Sequence, residues 1–397
     1  MKVAVMGYGT IGSGVVEVLE VNKELITKRA GEQVEVKYIL DLRDFPGDKY
    51  ESCLIRDYKQ IVEDKEIGVV VETMGGVEPA FTFVKAMLEA GKHVTTSNKN
   101  LVAEKGAELI AIAREKGVNF MFGASVGGGI PIIRPINKCL TGDRIQEITG
   151  ILNGTTNYML TRMAEEGVSF EEALKDAQDR GFAEKDPTAD VEGFDPCRKI
   201  AILTSLVCEQ QVDYQDIYTE GITKITTEDF AYAKAMKMNI KLLASSKEVK
   251  DTYRCMVAPF MLSGAHPLCN VSGVFNSVFV HGNMLGDAMF YGSGAGKLPT
   301  ASAVVADIVD MVNHKNTNIF IDWNPEKIEL INYKESENAF FVRTTSDKTD
   351  IERVFGNVEY VEGIVEGEMG FVTGVMTEAT FDEKASEIQM ISRIRLG

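Results

Sequence analysis

The 397-residue sequence has no long apolar run, few histidines and no paired cysteines, and each absence excludes a class of protein. No stretch approaches the roughly 18 consecutive apolar residues that mark a membrane-spanning helix. The apolar run after Lys2 is too short for a secretory signal, so we expect a cytoplasmic protein. The six cysteines contain no C-x-x-C pair and the four histidines are dispersed, which argues against a disulfide framework or a metal cluster built from these side chains.

Positive charge is also scarce. The formal net charge is −17, with the acidic residues spread along the chain, and no basic stripe with interleaved aromatic residues is present. Nucleic acid is therefore not an expected partner. Apolar residues make up 45% of the chain, which is enough for the cores of two or three domains. These features favour a globular protein with a solvated acidic surface.

The first 125 residues alternate short apolar runs with longer helical patterns. Strands are predicted at residues 2–6, 34–40, 68–72, 92–95 and 118–122, and helices at residues 10–19, 79–90 and 100–116. Because strands that alternate with helices pair in parallel, this part predicts an α/β fold with a Rossmann-type doubly wound parallel sheet.

The pattern changes after the glycines at 127–129. A mixed α+β region follows, with strand-like runs at 144–152, 252–259 and 273–281 and a capping box from Ser169 to Glu172 for a helix that Gly181 should end. A long helix is predicted at 298–312. After about residue 320 the predicted elements are, in order, strand 340–345, helix 349–355, strands 359–365 and 370–376, helix 381–388 and strand 390–396. That order is the βαββαβ unit of ferredoxin-like domains.

These changes predict three domains, residues 1–130, residues 131–289 and residues 325–397, the last of them small and separate.

A glycine-rich turn lies between the first strand and the first helix. Gly7-Tyr8-Gly9-Thr10-Ile11-Gly12 fits G-x-G-x-x-G in the context that this motif requires. The glycines allow a tight turn and close backbone approach to a pyrophosphate, and the helix N-terminus favours the anion. A plain strand–helix turn is the weaker interpretation.

The end of the second strand leaves the choice of cofactor open. Asp41 would accept hydrogen bonds from a free ribose 2′-hydroxyl and favour NAD. Arg43 could instead pair with a 2′-phosphate and favour NADP.

The segment 177–199 carries the candidate chemistry. Asp195 suits a helix N-cap with Pro196 at the first helical position, and Lys199 lies four residues on, on the same face. A lysine held by a carboxylate can donate a proton to a carbonyl oxygen that takes a hydride. Glu184 and Asp190, on the loop before the helix, could grip an ammonium group. Spacing alone supports a surface ion pair preceded by an acidic loop equally well.

Two further stretches fit a ligand site. Lys99 follows the fourth strand, at the carboxyl end of the sheet, and is either catalytic, a cofactor contact or an ordinary helix-start lysine. Gly154 and Thr155 begin a helical run, so their backbone N–H groups could bind a carboxylate, although simple N-capping is compatible with the same residues.

Residues 177–199 resemble the long signature of the homoserine dehydrogenase family at every fixed position. Other stretches that match are 7–12, 95–103, 124–131, 151–158 and 292–300, so the resemblance spans roughly residues 1–315. The family interconverts L-homoserine and L-aspartate 4-semialdehyde with NAD or NADP, on the route to threonine and methionine.

The resemblance implies a role for each matching residue. Lys199 is implied as the proton donor, Lys99 as its catalytic partner, and Asp195 as the group that positions Lys199 and the reacting oxygen. The substrate contacts implied are Glu184, Asp190, Gly154 and Thr155. The implied cofactor contacts are Gly7, Gly9, Thr10, Ile11, Gly12, Asp41, Arg43, Thr73, Lys99 and Gly294.

The resemblance also implies ions and partners. The backbone carbonyls that would hold a sodium ion are those of Gly123, Val126, Gly128 and Ile130, although Gly123 stands where the family often has a glutamate. The resemblance further implies that residues 1–130, completed by 290–316, bind the dinucleotide and that residues 131–289 bind the substrate and form a dimer. Residues 325–397 resemble an ACT domain with a regulatory or dimerisation role, which implies threonine as an effector. A homodimer or homotetramer is expected.

Two other functions compete with this one. A thioester-forming semialdehyde dehydrogenase would need an activated cysteine, and Cys197 is the nearest candidate. A catalytically inactive dinucleotide sensor with a regulatory C-terminal domain is the alternative from a different class, which the complete set from Glu184 to Lys199 disfavours.

Overall fold

The computed structural model describes every residue from Met1 to Gly397 and divides the chain into two compact units. The first unit comprises Met1–Asp143, Ala201–Asp213 and Gly292–Ile328, and the second comprises Arg144–Ile200, Tyr214–Tyr291 and Glu329–Gly397. None of the helices combines the length and hydrophobicity that crossing a bilayer requires.

The first unit is built on a six-stranded sheet in which all neighbouring strands are parallel. In spatial order the strands are Leu54–Ile55, Glu35–Leu40, Lys2–Met6, Ile67–Glu72, His93–Thr96 and Phe120–Met121. The first strand along the chain lies in the middle, so the sheet has the Rossmann-type order and confirms the predicted fold class. The two-residue strand Leu54–Ile55 has too few residues to show a pattern, and sequence reasoning missed it.

Helices cover this sheet and connect its strands. Those of the first unit are Thr10–Val21, Lys23–Ala30, Lys59–Glu63, Ala80–Glu89, Lys99–Lys116, Ile133–Lys138 and Lys297–Asn313, with a 3₁₀ turn at Glu51–Cys53 and a strand pair formed by Gln210–Gln211 and Asn324–Lys327. The Lys297–Asn313 helix returns to pack on the Thr10–Val21 helix. A Cβ on Gly14 would lie only 2.9 Å from the carbonyl oxygen of Lys297, so glycine permits this close approach.

The second unit is built on a large mixed sheet. Its central strands are, in spatial order, Gly286–Ser293, Phe275–Gly282, Ile145–Ile151, Met238–Val249 and Thr252–Ser263, with Tyr218–Thr219 paired to the last of them. The two long strands Met238–Val249 and Thr252–Ser263 form a hairpin over their whole lengths. This sheet supports the loop after Ile151, where the candidate chemistry begins.

The helices of the second unit carry the candidate substrate residues. They are Gly154–Glu166, Phe170–Asp179, Thr188–Val191, Thr227–Ala235, Lys348–Phe355 and Glu378–Ala385, with 3₁₀ turns at Tyr214–Asp216 and Tyr333–Glu335. The Phe194–Cys208 helix belongs to this unit up to Ile200 and to the first unit from Ala201 onward. The predicted capping box is present, because Ser169 and Glu172 each accept the other's backbone N–H. The Phe194–Cys208 helix begins one residue before Asp195, so Asp195 lies in its first turn and the predicted N-cap position was wrong.

The C-terminal residues contain the elements of the predicted βαββαβ unit. Its strands are Phe340–Thr344, Glu359–Val361, Met369–Val372 and Met390–Leu396, and in space they follow the order fourth, first, third, second. A short extra pair, Glu337–Asn338 with Met376–Thr377, lies beside them. The unit has its own apolar core, formed around Phe340, Phe371 and Phe381.

This C-terminal unit continues the central sheet, whereas the sequence pattern predicted a separate domain. The last strand pairs in parallel with Thr252–Ser263, where Phe260 faces Arg395. Arg395 is fully buried and donates to Glu378 at 2.6 and 2.9 Å and to Glu220 at 2.7 Å. A buried, hydrogen-bonded cation of this kind ties the C-terminal strand to the segment around Glu220.

Candidate active site

The glycine-rich turn of the first unit has a backbone that only glycine can adopt. Gly7 has a φ of +93°, and a Cβ on Gly12 would lie 1.9 Å from the carbonyl oxygen of Gly7. The hydroxyl of Thr73 donates to the same carbonyl at 2.9 Å and fixes the turn from the neighbouring strand. Gly9 caps the following helix, which starts at Thr10, without a side-chain hydrogen bond. Such a turn lets an anion approach the backbone N–H groups of the helix N-terminus.

Asp41 and Arg43 form one unit at the end of the Glu35–Leu40 strand. The carboxylate of Asp41 accepts hydrogen bonds from the guanidinium of Arg43 at 2.8 and 3.0 Å and from the backbone N–H of Tyr8 at 2.7 Å. The hydrogen bonds from Arg43 hold the pKa of Asp41 well below its usual range, so the carboxylate stays ionised. The Arg43 side chain is 60% exposed and lies near Gly9, so it remains accessible to a ligand on the turn.

Lys99 is the first residue of the Lys99–Lys116 helix and is half-buried. Asn98 caps this helix by accepting the N–H of Leu101 at 3.2 Å. Glu72, which ends the neighbouring strand, is fully buried and accepts the hydroxyl of Thr96 at 2.5 Å. Burial raises the pKa of Glu72. Sequence reasoning did not identify Glu72, although a carboxylate at the end of an apolar strand was a usable signal.

The residues proposed for a sodium ion lie in the first unit next to a buried carboxylate that sequence reasoning also missed. Asp307 accepts the N–H of Gly123 and the hydroxyl of Thr95, both at 2.9 Å, and the guanidinium of Arg134 at 3.2 Å. Burial raises the pKa of Asp307 to about 6. A Cβ on Gly123 would lie 2.8 Å from Asp307, so the carboxylate fills the space that a side chain at position 123 would take.

The glycine stretch packs on the turn that contains Gly294. The N–H of Gly129 donates to the carbonyl of Ser293 at 3.1 Å, and a Cβ on Gly128 would lie 2.6 Å from the carbonyl oxygen of Gly294. The side chains of Val126 and Ile130 are buried in the same stretch. The carbonyl of Ile130 accepts the N–H of Ile132 at 2.9 Å, so one of the four carbonyls proposed for sodium already has a hydrogen bond.

Lys199 lies in the second unit with its ammonium group held on two sides. Its Nζ donates to Oδ2 of Asp195 at 2.7 Å and to the carbonyl of Leu152 at 2.6 Å. Lys199 is 8% exposed and Asp195 3% exposed. A surface ion pair was the competing interpretation from spacing, and these burials exclude it. A buried ammonium that is oriented by a carboxylate and a carbonyl is suited to deliver a proton to one defined position.

Asn153 joins this pair to a second carboxylate. Its Nδ2 donates to Oδ1 of Asp190 at 2.7 Å and to Oδ2 of Asp195 at 2.8 Å. Its Oδ1 accepts the N–H of Thr156 at 2.8 Å and thereby caps the Gly154–Glu166 helix. The structure therefore brings together Asp190, Asp195 and Lys199, and adds Asn153, which was not among the residues predicted for the site.

The remaining candidate substrate residues flank this cluster. The hydroxyl of Thr155 donates to the carbonyl of Phe182 at 2.6 Å, and a Cβ on Gly154 would lie 2.7 Å from the carbonyl oxygen of Val274. Glu184 is exposed, and its carbonyl accepts Nε2 of Gln178 at 3.0 Å. The carboxylate of Glu184 makes no hydrogen bond with the cluster, unlike that of Asp190.

Cys197 does not fit the thioester alternative. It is 3% exposed and its thiol donates to the carbonyl of Tyr214 at 3.2 Å. A nucleophilic cysteine needs an accessible thiolate in a setting that lowers its pKa. Cys197 instead behaves as a small buried side chain.

Family models match the chain over most of its length. The model described as "Homoserine dehydrogenase, NAD binding domain" matches residues 7–123, and the model described as "Homoserine dehydrogenase" matches residues 131–309. The homoserine dehydrogenase of Bacillus subtilis (strain 168) is 40% identical over 323 residues, which cover 80% of this chain and 74% of that protein.

Solved structures agree with the family models. The homoserine dehydrogenase from Thiobacillus denitrificans is 34% identical, with a TM-score of 0.92, over 100% of this chain and 98% of that one. A hyperthermophilic archaeal homoserine dehydrogenase in complex with NADPH is 26% identical, with a TM-score of 0.66, over 78% of this chain and 97% of that one.

Proposed function

This chain belongs to the homoserine dehydrogenase family, and we propose that Lys199 is the proton donor and acceptor of its reaction. The enzyme is an oxidoreductase that interconverts L-homoserine and L-aspartate 4-semialdehyde with a nicotinamide dinucleotide. The usual pathway of the family leads to threonine and methionine. The inactive-sensor alternative is not favoured by these relatives.

The proposal for Lys199 rests on one observation, the buried ammonium held between Asp195 and the carbonyl of Leu152. The bound nicotinamide gives or accepts the hydride. When the aldehyde carbon gains the hydride, its oxygen becomes an alkoxide and takes a proton from Nζ of Lys199. In the reverse direction the hydroxyl proton of homoserine passes to the neutral lysine. We propose that Lys99 assists this step and that Asp195 keeps Nζ oriented.

We propose that the residues around Asn153 bind the ammonium and carboxylate groups of the substrate. We propose that Asp190 contacts the ammonium of homoserine, with Glu184 as a second carboxylate, and that the start of the Gly154–Glu166 helix receives the carboxylate. The hydroxyl of Thr155 is already bonded to Phe182, so Thr155 would contribute its backbone N–H. The positive end of the helix dipole supports an anion there.

For the cofactor, we propose that the enzyme accepts both nicotinamide dinucleotides and prefers NADP. Asp41 is the residue that would bind a free 2′-hydroxyl, but its carboxylate already accepts hydrogen bonds from Arg43 and from the backbone N–H of Tyr8. The exposed guanidinium of Arg43 has the charge and geometry for a 2′-phosphate. The turn from Gly7 to Gly12, with Thr73 and Gly294, would hold the rest of the dinucleotide.

A monovalent ion and an effector complete the proposal. We propose that sodium binds the carbonyls of Gly123, Val126, Gly128 and Ile130, where the positive φ values of Gly127 and Gly128 curl the backbone. Threonine as an effector of the ACT-like unit and a homodimeric or homotetrameric assembly stay predictions, as does a cytoplasmic location. Rates with sodium or choline chloride, with and without threonine, test the ion and the effector.

The experiment that tests the reaction is a steady-state assay of the purified enzyme. Homoserine is oxidised with NAD or NADP, and the wild type is compared with Asp190→Asn and Arg43→Ala. We expect a raised KM for homoserine in Asp190→Asn and a loss of NADP preference in Arg43→Ala, each with the other substrate's KM little changed. No oxidation of homoserine with either cofactor would contradict the activity.

A further inference from the structure

Asn153 lies at the centre of the substrate cluster. It is 5% exposed, directly before the Gly154–Glu166 helix, and its amide contacts both carboxylates of the cluster. A residue needed only as a helix cap would use its oxygen and leave its amide nitrogen without a defined role. Here both ends of the side chain are used.

The orientation of the amide is fixed from one side. Oδ1 of Asn153 accepts the N–H of Thr156 at 2.8 Å and the hydroxyl of Thr156 at 3.0 Å. A flipped amide would place its N–H groups against the N–H of Thr156, which would break the cap. The two N–H groups must therefore point towards Asp190 and Asp195.

The two carboxylates are close neighbours through this nitrogen. Oδ1 of Asp190 and Oδ2 of Asp195 lie 2.7 and 2.8 Å from the same atom, so they are at most 5.5 Å apart. Oδ2 of Asp195 also accepts Nζ of Lys199 at 2.7 Å. One continuous chain of hydrogen bonds thus runs from Asp190 through Asn153 and Asp195 to Lys199.

We propose that Asn153 is a positioning residue that couples substrate binding at Asp190 to the proton affinity of Lys199. This inference rests on the proposed roles of those two residues. A substrate ammonium at Asp190 neutralises that carboxylate and weakens its hold on the amide. The amide then donates more strongly to Asp195, which draws charge away from the ion pair with Lys199. The pKa of Lys199 falls, so the lysine becomes a better acid only when substrate is present.

The coupling has a specific signature in the pH dependence of the rate. The profile of kcat/KM reports the free enzyme and the profile of kcat reports the substrate complex. The pKa assigned to Lys199 should therefore be lower in the kcat profile than in the kcat/KM profile. A side chain that only stabilises the fold would not create this difference.

Two variants separate the coupling from the helix cap. Asn153→Ser keeps an oxygen that can cap the helix but removes both N–H donors. Asn153→Asp keeps the cap and the size but places a third carboxylate between the other two. Asp347→Ala is the matched control, because Asp347 caps the exposed Lys348–Phe355 helix by accepting the N–H of Asp350 at 3.0 Å.

We expect Asn153→Ser to lower kcat by about tenfold and Asn153→Asp by about a hundredfold, the loss typical of a misplaced catalytic group. The difference between the two pKa values should vanish in Asn153→Ser, and both should rise in Asn153→Asp. Asp347→Ala should lower Tm and leave kcat and both pKa values unchanged.

Three results would overturn the proposal. The first is that Asn153→Ser keeps the wild-type difference between the pKa values of the kcat and kcat/KM profiles. The second is that kcat falls in proportion to Tm while both pKa values stay unchanged. In that case Asn153 would act only as a helix cap. The third is equal pKa values in the two wild-type profiles. Lys199→Ala, measured in parallel, separates this outcome from failure of the proposed function. If Lys199→Ala is inactive while Asn153→Ser is normal, only the coupling is lost.

Discussion

Lys199 and Lys241 are two buried lysines of the second unit, and they differ in the second hydrogen-bond partner of the ammonium group. Each donates to a backbone carbonyl at 2.6 Å, Lys199 to Leu152 and Lys241 to Val271. Lys199 is 8% exposed and Lys241 is fully buried. Lys199 also has the carboxylate of Asp195 at 2.7 Å, whereas the second contact of Lys241 is the amide oxygen of Asn157 at 3.5 Å.

We propose that this difference separates a lysine that transfers a proton from one that only stabilises the fold. Burial lowers the pKa of Lys241 to about 8, because the loss of hydration outweighs the opposing effects of Cys269 and Glu165, neither of which forms an ion pair with the ammonium. Lys199, in contrast, donates directly to the carboxylate of Asp195, which is the arrangement that we propose for a proton donor. Asn153, which caps the Gly154–Glu166 helix, donates to Asp195, whereas Asn157 in the first turn of that helix accepts a hydrogen bond from Lys241.

The largest effect is expected when Lys199 loses its carboxylate partner and, like Lys241, keeps only neutral hydrogen-bond acceptors. Asp195→Asn replaces the carboxylate by an amide of the same size. We expect kcat to fall by about 10³-fold, since the proton donor loses its orienting charge. The pKa assigned to Lys199 in the kcat profile should move to lower pH. An unchanged kcat and pH profile would show that Asp195 has no part in the proton transfer.

A smaller effect is expected in the stability of the Lys241 region. The folded pKa of Lys241, about 8, lies below its ordinary value of 10.5, so the unfolded chain binds more protons between these values. The contribution of Lys241 to stability is therefore complete above about 10.5 and is lost as the pH falls through 8.

Lys241→Met should remove this dependence. Between pH 8 and 10 the free energy of unfolding of the wild type should rise relative to the variant, by up to about 1.4 kcal/mol per pH unit. Denaturant unfolding of both proteins at several pH values measures the difference. Parallel curves would mean that Lys241 keeps an ordinary pKa.

The smallest effect is expected when Asn157, whose amide oxygen accepts a hydrogen bond from Lys241, is replaced. Asn157 donates to the carbonyls of Val271 at 3.2 Å and Phe275 at 3.0 Å. Asn157→Ala should lower the free energy of unfolding by about 1–2 kcal/mol, because these buried contacts are lost. Its kcat and pH profile should stay within error of the wild type, in contrast to Asn153→Ser. A changed pH profile would contradict the assignment of Asn157 and Lys241 to a purely structural role.

Local patterns predicted much of the fold and part of the site. The parallel sheet of the first unit, the capping box at Ser169 and the βαββαβ order follow from periodicity and capping residues that lie close together in the sequence. The spacing of Asp195 and Lys199 placed them on one helix face, and the structure joins them. Spacing could not decide whether that face is buried, because burial depends on what packs against it.

Contacts between distant residues could not be predicted in the same way. Asn153 meets Asp195 from 42 residues away, and no local signal marks the bridge. Likewise, Lys241 looks like any lysine in a strand, and its burial arises only when the sheet is covered. The pairing of Phe260 with Arg395 joins the C-terminal unit to the central sheet. Because no local signal marks this pairing, the sequence pattern predicted a separate domain.

The central claim is that Lys199 transfers the proton and Lys241 only supports the fold. The direct measurement compares kcat for homoserine oxidation in Lys199→Met and Lys241→Met, at a temperature where both are folded, with cofactor affinity measured beside it. We predict that Lys199→Met loses at least about 10³-fold in kcat and keeps its cofactor affinity, while Lys241→Met stays within about threefold of the wild type, as expected for a change outside the transition state. Near-normal turnover in Lys199→Met, or an equal loss in both variants, would contradict the account.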